Sequence, residues 1–306
     1  MSEYLFVHFT TDENGEQEKI YFSVSKDGLK WEDLGDGKPI IETELGSKGI
    51  RDPFIVYDEK LKKYFIIATD LNTNTMSWGD AVTIGSRSLF VWESEDLVNW
   101  ENERLVEVGI PGAGCVWAPE AVFCKEKDAW FVFWASMVKE DGDKEPKHRI
   151  YGAFTRDFKT FTETFKYLEA ETNVIDTDIV WEDGWYYRFS KDETNKVIVM
   201  EKSRTLIPKG GDDYERVPSA LLAELYGVEG PEAYYLEEQK KWCLIVDQYA
   251  TGGGYVPLLT ESLASGDFTK ISADDYDMGP RKKRHGGIIE ISDEEATRLR
   301  KIFGVD

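Results

Sequence analysis

Residues 50–60, IRDPFIVYDEK, place an arginine, an aspartate and a proline directly ahead of a short apolar run. Proline has no N–H to donate to a neighbouring strand, so Pro53 indicates the beginning of a strand rather than its middle. The same order, a polar head followed by apolar residues, recurs in WAPEAVF (117–123), DTDIVW (176–181), GPEAYYL (230–236) and RHGGIIEI (284–291). Five copies of one strand type predict a repeated architecture in which the polar heads gather at a common site.

The elements that follow each head repeat as well. Aromatic-rich second strands come next in KKYFIIATD (62–70), AWFVFWAS (129–136), GWYYRFSK (184–191) and KKWCLIVDQY (240–249). Third and fourth strands follow these, and successive heads are 53 to 65 residues apart. Because four short strands need about 40–50 residues in a propeller blade, this spacing predicts blades with long loops.

The two ends of the chain complement each other. After the fifth head, only a short amphipathic segment near 293–303 follows, and Ser292 is a suitable helix cap for it. The segments YLFVHFT (4–10), KIYFSVS (19–25) and KDGLKW (26–31) match the second, third and fourth strands that the fifth repeat lacks. We therefore predict an all-β fold, a five-bladed β-propeller whose N-terminal strands join a C-terminal inner strand in the last blade.

The repeats assign the whole chain, residues 1–306, to one domain. The predicted blades span about residues 50–105, 116–166, 175–210 and 229–272, and the last blade combines 284–291 with 4–34. Two sandwich domains are the alternative, but a sandwich would not place a polar head on the same strand each time. Hairpin turns at Asp27–Gly28 and Asp183–Gly184 agree with short antiparallel strands.

The composition disfavours several classes of protein. The net charge of −22 and the pI of about 4.6 argue against nucleic acid and anionic membranes as partners. No apolar run approaches the roughly 18 residues of a membrane span, and the N-terminus lacks the basic stretch of a signal peptide. Three widely spaced cysteines predict free thiols, so we expect a cytoplasmic protein. The three histidines form no recognisable zinc motif.

The predicted strand heads carry carboxylates toward one channel. In a propeller, the first strand of every blade lines the central channel, so heads that are distant in sequence converge. Four heads contribute carboxylates, namely Asp52, Glu120, Asp176 with Asp178, and Glu229 with Glu232. Burial and like charges push carboxyl pKa values apart and thereby produce one acid and one base. Hydrolysis of a glycosidic bond requires such a pair.

The series RDPFIV, WAPEAVF, IDTDIVWEDG, EGPEAYY and RHGGI resembles glycoside hydrolase family 43 over essentially the full chain. The resemblance implies that Asp52 is the general base, Asp176 the pKa-modulating acid and Glu229 the general acid. It also implies that Trp117 lines the pocket. This chain has Thr177 where the family commonly has proline, which leaves Asp178 as an alternative modulator.

The last head and one rim residue complete the predicted site. The resemblance places His285 near a central calcium ion or its waters and Arg284 within reach of sugar hydroxyls. It implies a structural Ca²⁺ in the central channel and no cofactor for the chemistry. Trp78, in the irregular segment 71–87, is the candidate for a stacking platform at the rim.

The resemblance implies an inverting, exo-acting glycosidase that releases terminal pentoses from hemicellulose-derived oligosaccharides. The expected activity is that of an α-L-arabinofuranosidase, a β-D-xylosidase or both, with the oligomeric state left open. A glycoside phosphorylase that holds phosphate with RKKRH (281–285) is one alternative. An invertase-like hydrolase is a second, although the Asn-Asp-Pro-Asn nucleophile strand is missing. A propeller that only binds glycans is the third.

Overall fold

The computed structural model describes residues 2–11, 17–208 and 213–304. Within these ranges, twenty strands form five antiparallel sheets of four strands each, and helices are few. The sheets are the blades of a five-bladed β-propeller, which confirms the predicted fold class. The assignment of residues 1–306 to one domain stays a prediction.

The strands follow the predicted order along the chain. The first three are β1 (Ser2–His8), β2 (Tyr21–Ser25) and β3 (Glu32–Asp33). One blade contains β4 (Ile50–Asp58), β5 (Lys63–Asp70), β6 (Ser88–Ser94) and β7 (Glu101–Glu107), and the next contains β8 (Trp117–Cys124), β9 (Ala129–Val138), β10 (Lys147–Thr155) and β11 (Phe165–Leu168). Two further blades contain β12 (Val174–Glu182), β13 (Trp185–Asp192), β14 (Val197–Ser203) and β15 (Glu215–Arg216), then β16 (Glu229–Leu236), β17 (Lys241–Asp247), β18 (Tyr255–Thr260) and β19 (Thr269–Lys270). The last strand is β20 (Gly286–Ser292).

Both ends of the chain form the last blade, with the strand order β20-β1-β2-β3. Strand β1 pairs with β20 along its whole length, from Ser2 opposite Ser292 to His8 opposite Gly286. The predicted closure of the ring by N-terminal strands on a C-terminal inner strand is therefore confirmed.

Three α-helices lie outside the sheets of the described residues. The C-terminal helix is α3 (Asp293–Phe303). Ser292 and Glu295 form a capping box at its start, which agrees with the predicted role of Ser292 as the helix cap. The others are the short helices α1 (Trp78–Thr83) and α2 (Ala220–Glu224). Segment 71–87 is therefore not irregular throughout, because the side chain of Ser77 caps a helical turn that begins at Trp78.

Aromatic side chains pack between neighbouring blades. Trp31 of the last blade meets Tyr234 of the β16 blade edge to face, and Trp100 meets Phe22 in the same way between the β4 blade and the last blade. The three cysteines are buried and free, as predicted. None of the helices described is long and apolar enough to cross a membrane.

Candidate active site

A pocket of about 570 Å³ opens at the end of the channel where the inner strands begin. Its volume falls within the range of about 300–1,000 Å³ that is typical of small-molecule sites. All seven predicted site residues line it: Asp52, Trp78, Trp117, Asp176, Glu229, Arg284 and His285. The residues are thus brought together, while their individual roles stay predictions.

A β-bulge recurs at the head of four inner strands and positions the polar side chains. The pairing register with the second strand shifts between Arg51 and Phe54, Trp117 and Glu120, Ile175 and Thr177, and Glu229 and Glu232. One residue in each bulge has a positive φ: Asp52 (48°), Ala118 (47°), Asp176 (46°) and Gly230 (53°). A bulge re-aims side chains and interrupts the alternation of a strand. The heads therefore turn toward the pocket, while the strands continue down the channel.

Asp52 is held by a residue of the strand next to it. The hydroxyl of Thr69 donates a hydrogen bond of 2.9 Å to Oδ2 of Asp52 and accepts one of 2.8 Å from the N–H of Ala118 in the neighbouring blade. The second carboxylate oxygen, Oδ1, lies 3.7 Å from Nδ1 of His285. One oxygen is thus fixed by the scaffold, and the other faces the fifth strand head.

Asp176 lies in the bulge of β12, and its side chain is oriented by the next blade. The N–H of Gly230 donates a hydrogen bond of 3.1 Å to Oδ2 of Asp176. Burial raises the pKa of Asp176 to about 6, and the negative charges of Glu229 and Asp52 add to the rise against the opposing effect of His285 and Lys191. The pKa of Asp176 is thus raised, in contrast to that of Glu229 beside it, which is lowered.

The bulge also separates Asp176 from Asp178. In a regular strand, the alternation of DTDIV would place both side chains on the same face. Asp176 lines the pocket, whereas Asp178 lies deeper, where its Oδ2 accepts a hydrogen bond of 2.9 Å from the N–H of Ala233. The two aspartates therefore face the channel at different depths, and only Asp176 is positioned beside Glu229.

Glu229 is bound by two cations, of which only Arg284 is a site residue predicted from the sequence. Arg284 donates to Oε1 at 2.6 Å, and Lys191 donates to Oε2 at 2.7 Å. Burial alone would raise the pKa of Glu229, but the charges and hydrogen bonds of Lys191 and Arg284 outweigh it and lower the pKa below its usual value. In the free pocket, Glu229 is therefore held in its ionised form.

Lys191 and Thr69 share a feature that the sequence shows: each is a polar residue near the end of a second strand. In an antiparallel hairpin, the end of the second strand lies beside the start of the first. Accordingly, Arg51 pairs with Thr69, Ile175 with Lys191, and Glu229 with Asp247. Polar residues that close the second strands, in IIATD, FSKD and IVDQ, are therefore site candidates as much as the heads.

Two tryptophans form one wall of the pocket. Trp78 begins helix α1 with 56% of its surface exposed, and its ring meets Trp117 edge to face with centroids 6.1 Å apart. The guanidinium of Arg51 lies over Phe9 at 4.5 Å and over Trp78 at 5.3 Å, and it pairs with Glu18 at 2.9 Å. Arg51 thus supports the aromatic rim.

Residues 1–297 match the family described as a probable glycosyl hydrolase domain, a group related to glycoside hydrolase family 43. The chain belongs to this family. A pocket lined by converging carboxylates on a five-bladed propeller is what such an enzyme needs for its chemistry.

Known proteins resemble this family member in sequence and in fold. An α-L-arabinofuranosidase of Bifidobacterium longum subsp. longum is 30% identical over 267 residues, which are 77% of this chain and 25% of that protein. The chain thus spans about a quarter of the length of this curated relative. An exo-β-1,3-galactanase from Clostridium thermocellum has a TM-score of 0.60 at 13% identity, with 95% of this chain and 70% of that chain covered. A thermostable family-43 glycoside hydrolase has a TM-score of 0.51 at 20% identity, with 76% and 75% covered. The two structures show the shared fold.

Below the pocket, the protein carries a second group of carboxylates. Glu120, Asp178 and Glu232 each place an oxygen within 4.8 Å of the others, and all three are buried. Burial, first of all, raises the pKa of each group, that of Asp178 to about 7, and repulsion from Asp178 adds to the rise for Glu120 and Glu232. Glu232 is buried and lies outside the pocket wall.

The chemistry of this deeper group fits a calcium ion. Among the described residues, no N–H or hydroxyl reaches either oxygen of Glu120 or Oε2 of Glu232. Ca²⁺ prefers oxygen ligands, and three carboxylates supply them. His285 is placed at the edge of the group, with Nε2 3.5 Å from Oε1 of Glu120. The predicted association of His285 with a metal stays a prediction, and the carboxylates are the stronger candidate ligands.

His148 also lines the pocket, and the sequence analysis does not predict it as a site residue. Its ring lies 5.5 Å from that of Trp117, and its Nε2 has no hydrogen-bond partner among the residues described. Burial lowers the pKa of His148 to about 4, so the imidazole is neutral near neutral pH. No motif marked this histidine, because it lies on a third strand, away from the strand heads.

Proposed function

We propose that this protein is an inverting, exo-acting glycosidase that releases terminal pentoses, as an α-L-arabinofuranosidase, a β-D-xylosidase or both. The observation that carries the proposal is the convergence of Asp52, Asp176 and Glu229, from three blades, on one pocket. The similarity to a B. longum α-L-arabinofuranosidase supports pentose as the sugar released. Hemicellulose-derived oligosaccharides are the proposed source of these ends.

In the proposed reaction, Asp52 is the base and Glu229 is the acid. Asp52 accepts a proton from a water molecule as the water oxygen forms a bond to the anomeric carbon. Glu229 donates its proton to the glycosidic oxygen as the bond between that oxygen and the anomeric carbon breaks. Inversion follows because water attacks from the face opposite the leaving group, without a covalent intermediate. Thr69 orients the base by holding Oδ2 of Asp52.

Asp176 is proposed as the residue that orients and modulates the acid. It accepts the N–H of Gly230, the residue after Glu229, and its charge acts on Glu229 across the pocket. Because Lys191 and Arg284 hold Glu229 ionised in the free pocket, only a fraction of the molecules carries the proton that the reaction uses. We therefore infer that the enzyme works best at acidic pH.

The aromatic rim and Arg284 are the proposed binding groups for the sugar. The exposed face of Trp78 and the ring of Trp117 offer apolar surface to the C–H groups of a sugar ring. Arg284 adds N–H donors beside Glu229. A pocket that gathers the three carboxylates in its wall suits the terminal residue of an oligosaccharide.

The phosphorylase alternative receives little support from the basic segment 281–285. Lys283 is buried and pairs with Asp33, and the guanidinium of Arg284 is shared between Glu229 and Asp247. Cations that are already neutralised by carboxylates are poor anchors for phosphate, since phosphate would have to displace those partners.

A structural Ca²⁺ is proposed at the deeper carboxylates. Glu120, Asp178 and Glu232 would hold it, and His285 would lie at the edge of the group. When bound, the ion supplies positive charge that offsets the repulsion among three buried carboxylates.

A panel of glycosides tests the proposed function. We expect release of p-nitrophenol from p-nitrophenyl α-L-arabinofuranoside or β-D-xyloside, and loss of that release in Asp52→Asn, which lacks the base that activates water. Proton NMR of the first sugar formed should show the anomer opposite to that of the substrate. Turnover of β-1,3-galactobiose alone would overturn the pentose assignment. Equal activity of Asp52→Asn and the wild type would overturn the assigned site.

A further inference from the structure

Five charged side chains alternate in sign in one row, in the order Glu193, Lys191, Glu229, Arg284 and Asp247. The first four line the pocket, and Asp247 is buried behind it. Lys191 Nζ lies 2.6 Å from Oε2 of Glu193 and 2.7 Å from Oε2 of Glu229. On the other side, Arg284 lies 2.6 Å from Oε1 of Glu229 and 2.5 Å from Oδ2 of Asp247. Glu229 is the centre of this row, so each of its oxygens has its own cation.

Lys191 is built into the wall rather than extended from the surface. Only 3% of its side chain is exposed, and its ammonium lies 4.4 Å from the centre of the Tyr249 ring. A buried ammonium without a partner is strongly unfavourable, so contacts with carboxylates are what permit Lys191 to be there. The lysine and the carboxylate of Glu229 therefore depend on each other.

The two cations of Glu229 differ in what else they hold. Arg284 contacts Asp247, whose side chain is fully buried. Lys191 contacts Glu193, which is 28% exposed and which Lys196 also pairs with. Lys191 also faces Asp176 across the pocket, but it is the cation with the largest effect on Glu229, and it donates directly to Oε2 of that carboxylate.

We propose that Lys191 is a positioning residue that orients the Glu229 carboxylate and sets how readily it takes up the proton the reaction uses. This inference rests on the proposed role of Glu229 as the acid. Lys191 acts through Glu229 and needs no contact with the glycosidic oxygen. The charged groups that face Glu229 from the surrounding elements are Lys191, Arg284, Asp176, Asp247 and Glu193.

A titration of Glu229 tests the coupling without any substrate. Protein labelled with ¹³C at the glutamate side-chain carboxyl carbons is titrated by NMR, and the Glu229 signal is identified by its absence in Glu229→Gln. An opposite charge within about 4–6 Å lowers a carboxyl midpoint by about 1–3 pH units, so Lys191→Met should raise the midpoint of Glu229 by that amount. Lys191→Arg should restore most of the wild-type midpoint. An unchanged midpoint in Lys191→Met would overturn the proposal.

Two further variants control for general charge effects and for folding. Lys196→Met also removes a lysine that lines the pocket. Because Lys196 pairs with Glu193 and not with Glu229, this change should move the midpoint of Glu229 less than Lys191→Met does. Glu193→Gln removes the competing partner of Lys191 and should lower the midpoint. If Lys191→Met does not fold, the direction seen in Glu193→Gln decides, and a raised midpoint there would contradict the coupling.

The pH profile of kcat/KM then separates this inference from the proposed function. If Glu229 is the acid, the alkaline limb should move to higher pH in Lys191→Met by the amount that the titration shows, and return in Lys191→Arg. A shifted titration with no glycosidase activity in the wild type would retain the coupling and reject the function. An active wild type whose alkaline limb is the same in Lys191→Met would retain the function and reject the role of Lys191.

Discussion

Asp52 and His285 meet where the propeller closes, with Oδ1 of the aspartate 3.7 Å from Nδ1 of the histidine. Asp52 lies in the bulge near the start of inner strand β4, and His285 directly precedes the last inner strand, β20. Their contact depends on the pairing of β1 with β20, which brings the C-terminal strand into the ring. The site thus requires that both ends of the chain be in place.

Replacing Asp52 should abolish most of the activity and leave the fold intact. Asp52→Asn keeps the hydrogen bond from Thr69 within reach but removes the base, and general-base catalysis contributes about 10²–10⁴-fold. We expect kcat to fall by that factor while the melting temperature changes little. Asp183→Asn, in the hairpin turn between β12 and β13, is the matched control and should keep full activity. A similar kcat in both variants would rule out the assigned base.

The acid role of Glu229 predicts a dependence on the leaving group. A glycoside with a good leaving group needs little protonation, whereas a sugar leaving group needs an acid. Glu229→Ala should therefore lower kcat/KM for an arabino- or xylo-oligosaccharide by about 10²–10⁴-fold and for a 2,4-dinitrophenyl glycoside by much less. Asp52→Asn should lower both to a similar extent. Equal losses on both substrates in Glu229→Ala would contradict its role as acid.

The wild-type pH profile should decline toward alkaline pH. Burial acts to raise the pKa of Glu229, but Lys191 and Arg284 bring it below its ordinary value, so the protonated form is lost as the pH rises through that lowered pKa. An enzyme that needs protonated Glu229 then loses about tenfold in kcat/KM per pH unit above it. Measured kcat/KM between about pH 4 and 8 tests this. A flat profile across that range would show that the ion pairs with Glu229 do not govern the reaction.

Trp78 should contribute binding and little else. Its ring is 56% exposed at the pocket rim, and Trp181, 54% exposed at the far end of β12, is an equally exposed tryptophan outside the pocket. Removing an aromatic platform should cost about 1–2 kcal/mol of binding, a factor of about 5–30. We expect Trp78→Ala to raise KM by that factor with little change in kcat, and Trp181→Ala to leave both unchanged. Equal effects in the two variants would exclude a platform at Trp78.

The sequence was sufficient for the blades, the ring closure and the strand heads, because each depends on a pattern that repeats within the chain. The polar-then-apolar order of RDPFIV and WAPEAVF is local, and five copies of it fix the topology. His148 could not be assigned in this way, because it lies on a third strand, away from the heads. Lys191 is a candidate from its place at the end of a second strand, but its contact with Glu229 depends on the folded arrangement of two blades. The lowered pKa of Glu229 depends in turn on Lys191, so the electrostatics of the site were out of reach as well.

The deeper carboxylates should make the stability of the protein respond to calcium. Glu120, Asp178 and Glu232 are buried close together, so their ionised forms repel one another until a cation binds. A ligand that binds only the folded state at 100 times its Kd adds about 2.7 kcal/mol, which should raise the melting temperature by several degrees. We expect a higher melting temperature in millimolar Ca²⁺ than in EGTA for the wild type.

Glu232→Gln removes one ligand and one repelling charge, so it should melt higher than the wild type in EGTA and gain little from Ca²⁺. Glu237→Gln, just beyond the end of β16 and exposed, is the matched control and should respond as the wild type does. A calcium response that is equal in Glu232→Gln and Glu237→Gln would place the ion elsewhere, and no response in the wild type would mean that these carboxylates are kept neutral by protons instead.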